Sequence, residues 1–122
     1  MSCTINASEN GKYIIQKVIG TYNRKLALKN DIEAHALGKK LGINRYLVDV
    51  VECINTESSA EKYKFAYEDM KTESIDRSAR VAILTHPDDH SHDFIETVIR
   101  NAGFDVTLFR DRKLAIKHLC DD

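Results

Sequence analysis

The chain has 122 residues, of which 43% are hydrophobic and 30% are charged, and its formal net charge is -1. This balance is typical of an ordinary globular protein, so we expect one domain over residues 1–122 and neither a disordered nor a membrane-embedded chain. The near-neutral charge argues against nucleic acid as a partner, and no apolar run is long enough for membrane insertion. The three cysteines match no close metal-ligand spacing, and an odd count without a recognisable signal peptide favours reduced thiols and a cytoplasmic location.

The first third of the chain predicts two strands, a helix and a third strand. Asn10 and Gly11 lie between two β-prone runs, and both residue types tolerate the positive φ of a type I′ turn, so the chain is expected to open with an antiparallel hairpin. Apolar residues between 28 and 41 then share one helical face, and Gly42 stands where a helix ends. The apolar run 46–51 predicts a buried strand.

The second helix is predicted to begin at a capping box. Ser58 and Glu61 have the Ser-x-x-Glu spacing in which the serine hydroxyl accepts a hydrogen bond from a free backbone N–H. The apolar stripe that follows is expected to face the core, and it consists of Tyr63, Ala66, Tyr67 and Met70.

The remaining elements alternate in the same way. The pattern predicts a strand over 81–85, a helix over 94–102, a strand over 104–109 and a short last helix capped by Asp111. The full order is ββαβαβαβα, which predicts an α/β fold with a mixed, mostly parallel sheet of about five strands, an N-terminal β-hairpin and four helices.

The loop of residues 85–93 is the most chemically loaded segment, since it holds three histidines and three aspartates after a parallel strand. His86 to Asp89 read His-Pro-Asp-Asp, which resembles the zinc-dependent deacetylases of the PIG-L type. In that family the histidine and one aspartate bind or act beside zinc, and the motif continues with Glu where this chain has His90. A metal site in this loop would use His86, Asp89, His90 and His92. The alternative is structural, because aspartate, serine and proline are also favoured residues at the start of a helix.

The segment of residues 47–60 resembles the STAS domain of anti-sigma-factor antagonists and sulfate transporters. In that domain a Leu-Asp-Leu strand end leads, at this same spacing, to an Asp-Ser-Ser/Thr-Gly motif whose first serine is phosphorylated. The resemblance places Glu57 at the aspartate and makes Ser58 the candidate phosphoacceptor, with Ser59 beside it and Asp49 in the strand. The structural alternatives are a helix cap for Ser58 and backbone hydrogen bonds for Asp49.

The C-terminal part is similar to a smaller group of single-domain bacterial STAS-like proteins. Their chains end with a strand, then Phe-Arg-Asp, then a short helix with Ala and a final Leu, as in Phe109, Arg110, Asp111, Ala115 and Leu119 here. The predicted order of elements matches this fold over nearly the whole chain.

The resemblance implies a non-enzymatic regulatory domain that binds another protein, needs no cofactor and is switched by phosphorylation of Ser58. The sequence also leaves open whether the domain forms a homodimer, because an edge strand or an exposed helix would support one. Two alternatives also stay open. One is a metal-dependent hydrolase that uses the loop from His86 to Asp93, and the other is a domain that binds a small apolar ligand or lipid in a cavity between sheet and helices.

Overall fold

A computed structural model describes residues 1–121 and confirms the predicted order of elements. The bounds are β1 Ser2–Ala7, β2 Ile14–Thr21, α1 Arg24–Leu41, β3 Arg45–Ile54, α2 Ser59–Lys64, a π-helical turn Phe65–Asp69, β4 Arg80–Leu84, α3 Asp93–Asn101, β5 Asp105–Phe109 and α4 Arg112–Cys120. No helix within residues 1–121 has the length and apolar character needed to cross a membrane.

The five strands form one mixed sheet in the order β1-β2-β3-β4-β5. β1 pairs with β2 antiparallel, and the three other pairings are parallel, as the alternation of strands and helices predicts. The carboxyl ends of β2 to β5 therefore meet at one edge of the sheet, and the loops after β3 and β4 lie next to each other there.

The helices are divided unequally between the two faces of the sheet. α1, α2, the π-helical turn and α3 cover one face, where Ala27, Phe65 and Ile95 pack in one apolar cluster with strand residues such as Val50. α4 covers the other face, where Ala115 and Leu119 pack with Leu47, Ala82 and Leu84. We call these the three-helix face and the α4 face.

A register shift in the sheet changes which side chains of β3 face the helices. Lys17 pairs with Asp49, whereas Ile19 pairs with Glu52, so β3 holds one extra residue at this point. The bulge interrupts the strict alternation of a strand. As a result both Val50 and Cys53 join the core of the three-helix face.

The prediction of a type I′ turn at Asn10 and Gly11 is wrong. The connection spans residues 8–13 and is closed by hydrogen bonds from Ser8 N to Tyr13 O and from Gly11 N to Ser8 O, at 2.8 and 3.0 Å. Gly11 has a φ of 71°, but no non-glycine residue within 1–121 has a positive φ. Asn10 uses its side chain instead, because its Oδ1 accepts hydrogen bonds from Lys12 N and Ser8 Oγ.

The predicted inward stripe of the second helix is also partly wrong. Ala66 is buried in the core and Tyr67 and Met70 pack against it, as predicted, but Tyr63 is 53% exposed. Phe65, which the pattern left out of the stripe, is buried in the core instead. The helix then widens into the π-helical turn, in which Met70 N donates to Phe65 O at 2.9 Å.

Candidate functional site

Ser58 lies at the carboxyl edge of the sheet, where the loop after β3 turns into α2. Its side chain is exposed, and its Oγ accepts a hydrogen bond from Glu61 N at 3.1 Å. Ser58 is therefore the N-cap of α2, as the capping pattern predicts. Ser59 is the exposed first residue of the helix.

Glu57 connects this corner to the start of α1. Its Oε1 accepts a hydrogen bond from the backbone N–H of Arg24 at 3.0 Å, and its own N–H donates to Asn55 Oδ1 at 3.0 Å. A hydrogen bond with the Glu61 carboxyl and partial burial raise the pKa of Glu57, and the backbone N–H of Arg24 acts against them. Two acidic groups thus share a site without full neutralisation.

Two cations beside this corner make contacts elsewhere in the fold. The Arg24 guanidinium donates to both carboxylate oxygens of Asp69, from Nε at 2.6 Å and from an Nη at 2.9 Å. The Lys62 ammonium donates to the backbone oxygen of Ser91 at 3.1 Å. We call residues Asn55 to Glu61 the acidic corner, because its two ionisable side chains, Glu57 and Glu61, are both carboxylic acids.

Asp49 does not lie with Ser58, although the resemblance groups them. It sits in the middle of β3, and its side chain is 6% exposed on the α4 face. Its Oδ2 accepts from Arg112 at 2.9 Å and its Oδ1 accepts from Val51 N at 3.1 Å. These contacts bind α4 to the sheet and support the bulge in β3, so Asp49 is held in a structural ion pair.

The outer part of the histidine-rich loop is fixed by local contacts. His86 is exposed and its Nδ1 accepts from Asp88 N at 3.1 Å. His90 Nδ1 lies 2.8 Å from Asp93 Oδ2 and 2.9 Å from the Arg110 guanidinium, which also donates to Asp93 Oδ1 at 2.5 Å. Burial acts to raise the pKa of Asp93, but the hydrogen bonds from His90 and Arg110 outweigh it, so the pKa is lowered.

The inner part of the loop is built around a buried histidine. His92 is 2% exposed and its Nε2 donates to the backbone oxygen of Cys53 at 2.8 Å, which links the start of α3 to β3. Burial lowers the pKa of its ring and thereby favours the neutral form, although the contact with the Cys53 carbonyl and the Asp89 charge act against this. Asp89 Oδ1 accepts from Ser91 N at 2.8 Å, and its Oδ2 lies 3.5 Å from His92 Nε2.

The four residues implied as metal ligands are therefore not brought together. His86 is exposed, His90 pairs with Asp93, and His92 points into the protein toward Cys53. Within residues 1–121 no group of three or more His, Cys, Asp or Glu side chains is placed to hold a metal ion. The geometry favours the structural alternative for this loop.

The Phe109-Arg110-Asp111 sequence joins three parts of the fold. Phe109 packs on the α4 face with its ring centroid 5.2 Å from that of His118. Arg110 points to the three-helix face and binds Asp93 of α3, and the Oδ1 of Asp111 accepts from Leu114 N at 3.2 Å to cap α4. Three consecutive side chains thus hold α3, β5 and α4 in one arrangement.

A cavity of about 90 Å³ lies between the sheet and the helices of the three-helix face. Three polar residues, Gln16, Tyr22 and Asp31, are among its lining. Sequence reasoning did not single them out. The available signal was a polar side chain at a core-facing position, since Gln16 lies within an apolar strand and Asp31 lies one residue from Ile32 on the apolar face of α1.

These features define an α/β domain with a mixed five-stranded sheet, a three-helix layer on one face and a single C-terminal helix on the other, which is the SpoIIAA-like, STAS-like fold. The chain is similar to the crystal structure of an uncharacterised DUF3478-family protein from Shewanella loihica PV-4, which has a SpoIIAA-like fold. The two chains are 21% identical with a TM-score of 0.50, and the match covers 98% of this chain and 93% of the other. No protein-family model and no curated protein matches the sequence. At this identity the likeness shows the fold alone.

Proposed function

We propose that this chain is a non-enzymatic regulatory domain that binds another protein through the acidic corner and that phosphorylation of Ser58 switches this binding. The observation that carries the proposal is the exposed Ser58 hydroxyl at the carboxyl edge of a SpoIIAA-like fold. It lies at the position where the STAS resemblance expects the phosphorylated serine.

The local contacts support a change of surface charge with little change of fold. A phosphate adds nearly two negative charges, and the N–H groups at the start of a helix tolerate an anion. Arg24 is paired with the Asp69 carboxylate and Lys62 donates to the Ser91 carbonyl, so either side chain would have to break an existing contact to bind the phosphate. A partner complementary to the neutral hydroxyl is then repelled by the phosphate and by Glu57 beside it.

The test is quantitative co-purification of the tagged protein from its own cells, with phosphate mapped by mass spectrometry. Ser58→Asp is expected to lower recovery of a specific partner by about tenfold or more, since a like charge in an interface costs several kcal/mol. Ser58→Ala is expected to retain the partner. Ser58→Ala should lower the free energy of unfolding by about 1 kcal/mol, because it removes the N-cap hydroxyl of α2. Ser58→Asp keeps a good N-cap, because aspartate is itself a favoured N-cap residue.

Ser74→Asp is the matched control, because Ser74 is an exposed serine in the turn before β4. It adds the same charge to a different surface. Equal partner recovery by the wild type and Ser58→Asp would contradict the proposal, and so would an equal loss in Ser74→Asp.

A further inference from the structure

The cavity of the three-helix face has a mostly apolar wall. Side chains from the sheet and the helices surround it, among them Val18, Val50, Phe65, Ile83, Ile95 and Val106. All six of these residues are less than 10% exposed. Apolar walls of this kind accept apolar guests.

One part of the wall is polar. The Tyr22 hydroxyl is fully buried and has no hydrogen-bond partner among residues 1–121, while the ring of Tyr22 packs edge-on against Phe65 with centroids 6.0 Å apart. A buried hydroxyl without a partner costs free energy, so such groups in proteins usually meet a protein atom, a water or a ligand.

A second polar group lies in the same lining. Gln16 is 3% exposed and its Nε2 donates to Asp31 Oδ1 at 2.8 Å. Burial raises the pKa of Asp31 to about 7, with the hydrogen bond from Gln16 acting against the rise. Its carboxyl group is therefore present in both protonation states near neutral pH and can accept or donate a hydrogen bond.

The size of the cavity limits its guest. An apolar protein cavity of about 150 Å³ binds benzene, which has six heavy atoms. In proportion, about 90 Å³ suits a molecule of three or four heavy atoms. A hydroxyl group on such a molecule can accept from Tyr22 and can donate to the carboxylate of Asp31. The lining also holds His35, Asp76 and His92, so its polar part extends beyond these two partners.

We propose that this cavity is a binding site for a small neutral alcohol, whose alkyl part fills the apolar wall and whose hydroxyl bonds to Tyr22 and Asp31. The site lies beneath α1 and the π-helical turn and is independent of the Ser58 surface. Failure of either proposal therefore leaves the other standing.

The experiment is a titration of the isotope-labelled protein with 1-propanol, followed by two-dimensional amide NMR. The expected result is saturable shifts confined to residues around the cavity, such as Ala27 and Val50. Tyr22→Phe keeps the ring and removes the hydroxyl, so it should weaken 1-propanol binding by about three- to tenfold. Xenon, which has no hydroxyl, should bind the wild type and Tyr22→Phe with equal affinity.

Two kinds of variant control the result. Tyr67→Phe removes a hydroxyl outside the cavity lining and should leave 1-propanol binding unchanged. Ala27→Leu fills the cavity from α1 and should abolish binding of both probes. If Ala27→Leu prevents folding, Val18→Ile takes its place, because it adds only a single methylene from β2.

Two outcomes would overturn the inference. One is the absence of saturable shifts, which would mean that the cavity holds only water or admits no guest. The other is equal affinity of the wild type and Tyr22→Phe for 1-propanol, which would show that the hydroxyl takes no part.

Discussion

The histidine-rich loop and the acidic corner lie side by side at the same edge of the sheet, but their charges are balanced differently. In the loop, Asp93 is held by His90 and Arg110, and its pKa is lowered. In the corner, Glu57 faces another carboxyl group, that of Glu61, and its pKa is raised. The two segments touch, since Asn55 N donates to Ser91 Oγ at 3.0 Å.

The segment with more metal-binding and acid–base residue types is therefore not the segment whose side chains are free to bind a partner. The histidines and aspartates of the loop suggest a metal site, yet His92 and Asp93 attach α3 to β3 and β5. The corner has an ordinary composition, yet it presents an exposed hydroxyl beside charge that the protein does not neutralise. A group whose hydrogen bonds are all made inside the fold has little capacity left for a ligand.

The largest expected effect is at His92, the buried centre of the histidine-rich loop. We expect His92→Ala to lower the free energy of unfolding by about 3 kcal/mol, because it leaves a buried cavity and removes the partner of the Cys53 carbonyl. Urea denaturation at pH 7 measures the change.

His86→Ala is the matched control, because His86 belongs to the same loop but is exposed. Its expected effect is less than about 0.5 kcal/mol. Similar losses in the two variants would mean that the loop is not organised around His92.

A smaller effect is expected at Asp93. Asp93→Asn should lower the free energy of unfolding by about 1 kcal/mol at pH 7, since the half-exposed carboxylate loses its charge-assisted bonds to Arg110 and His90. A lowered pKa contributes stability that is present above the unfolded value of 3.8 and is lost as the pH falls through the folded value. The difference between wild type and variant should therefore shrink in acid.

Denaturation curves between pH 7 and 3 check this dependence. Asp88→Asn provides the control, since Asp88 carries the same charge with a side chain that is 93% exposed. A difference between wild type and Asp93→Asn that stays constant over the whole pH range would contradict the account of the loop.

Much of the fold follows from local sequence signals. The order of the elements, the caps at Ser58 and Asp111, and the end of α1 at Gly42, which has a φ of 72°, were all predictable. Each of these depends on residues a few positions apart, and the physical rules that govern them are local.

The candidate site was only partly predictable, because its decisive contacts are long-range. Asp49 meets Arg112, 63 residues later, and His92 meets Cys53, 39 residues earlier. The cavity is lined by residues that lie between positions 1 and 106 of the sequence, so no local pattern reveals it. The prediction at Asn10 failed because its side chain accepts a hydrogen bond from Lys12 N. The prediction at Tyr63 failed because Phe65 occupies the core and Tyr63 is exposed.

The smallest expected effect lies in the acidic corner itself. Glu61→Gln replaces one of the two facing carboxyl groups by an amide that can donate to Glu57, so the pKa of Glu57 should fall toward its ordinary value. The pKa of Asp93 should not change, because His90 and Arg110 set it. NMR titration of the two side-chain carboxyl groups measures both values in one experiment.

Stability should change by less than about 0.5 kcal/mol, because two consequences of this substitution oppose each other. A raised carboxyl pKa means that stability present below the unfolded value is lost as the pH rises, and Glu61→Gln removes that loss. The same substitution takes a favourable negative charge from the first turn of α2. An unchanged Glu57 pKa in the variant would show that Glu61 is not its cause, and the distinction between a neutralised loop and an unneutralised corner would then be lost.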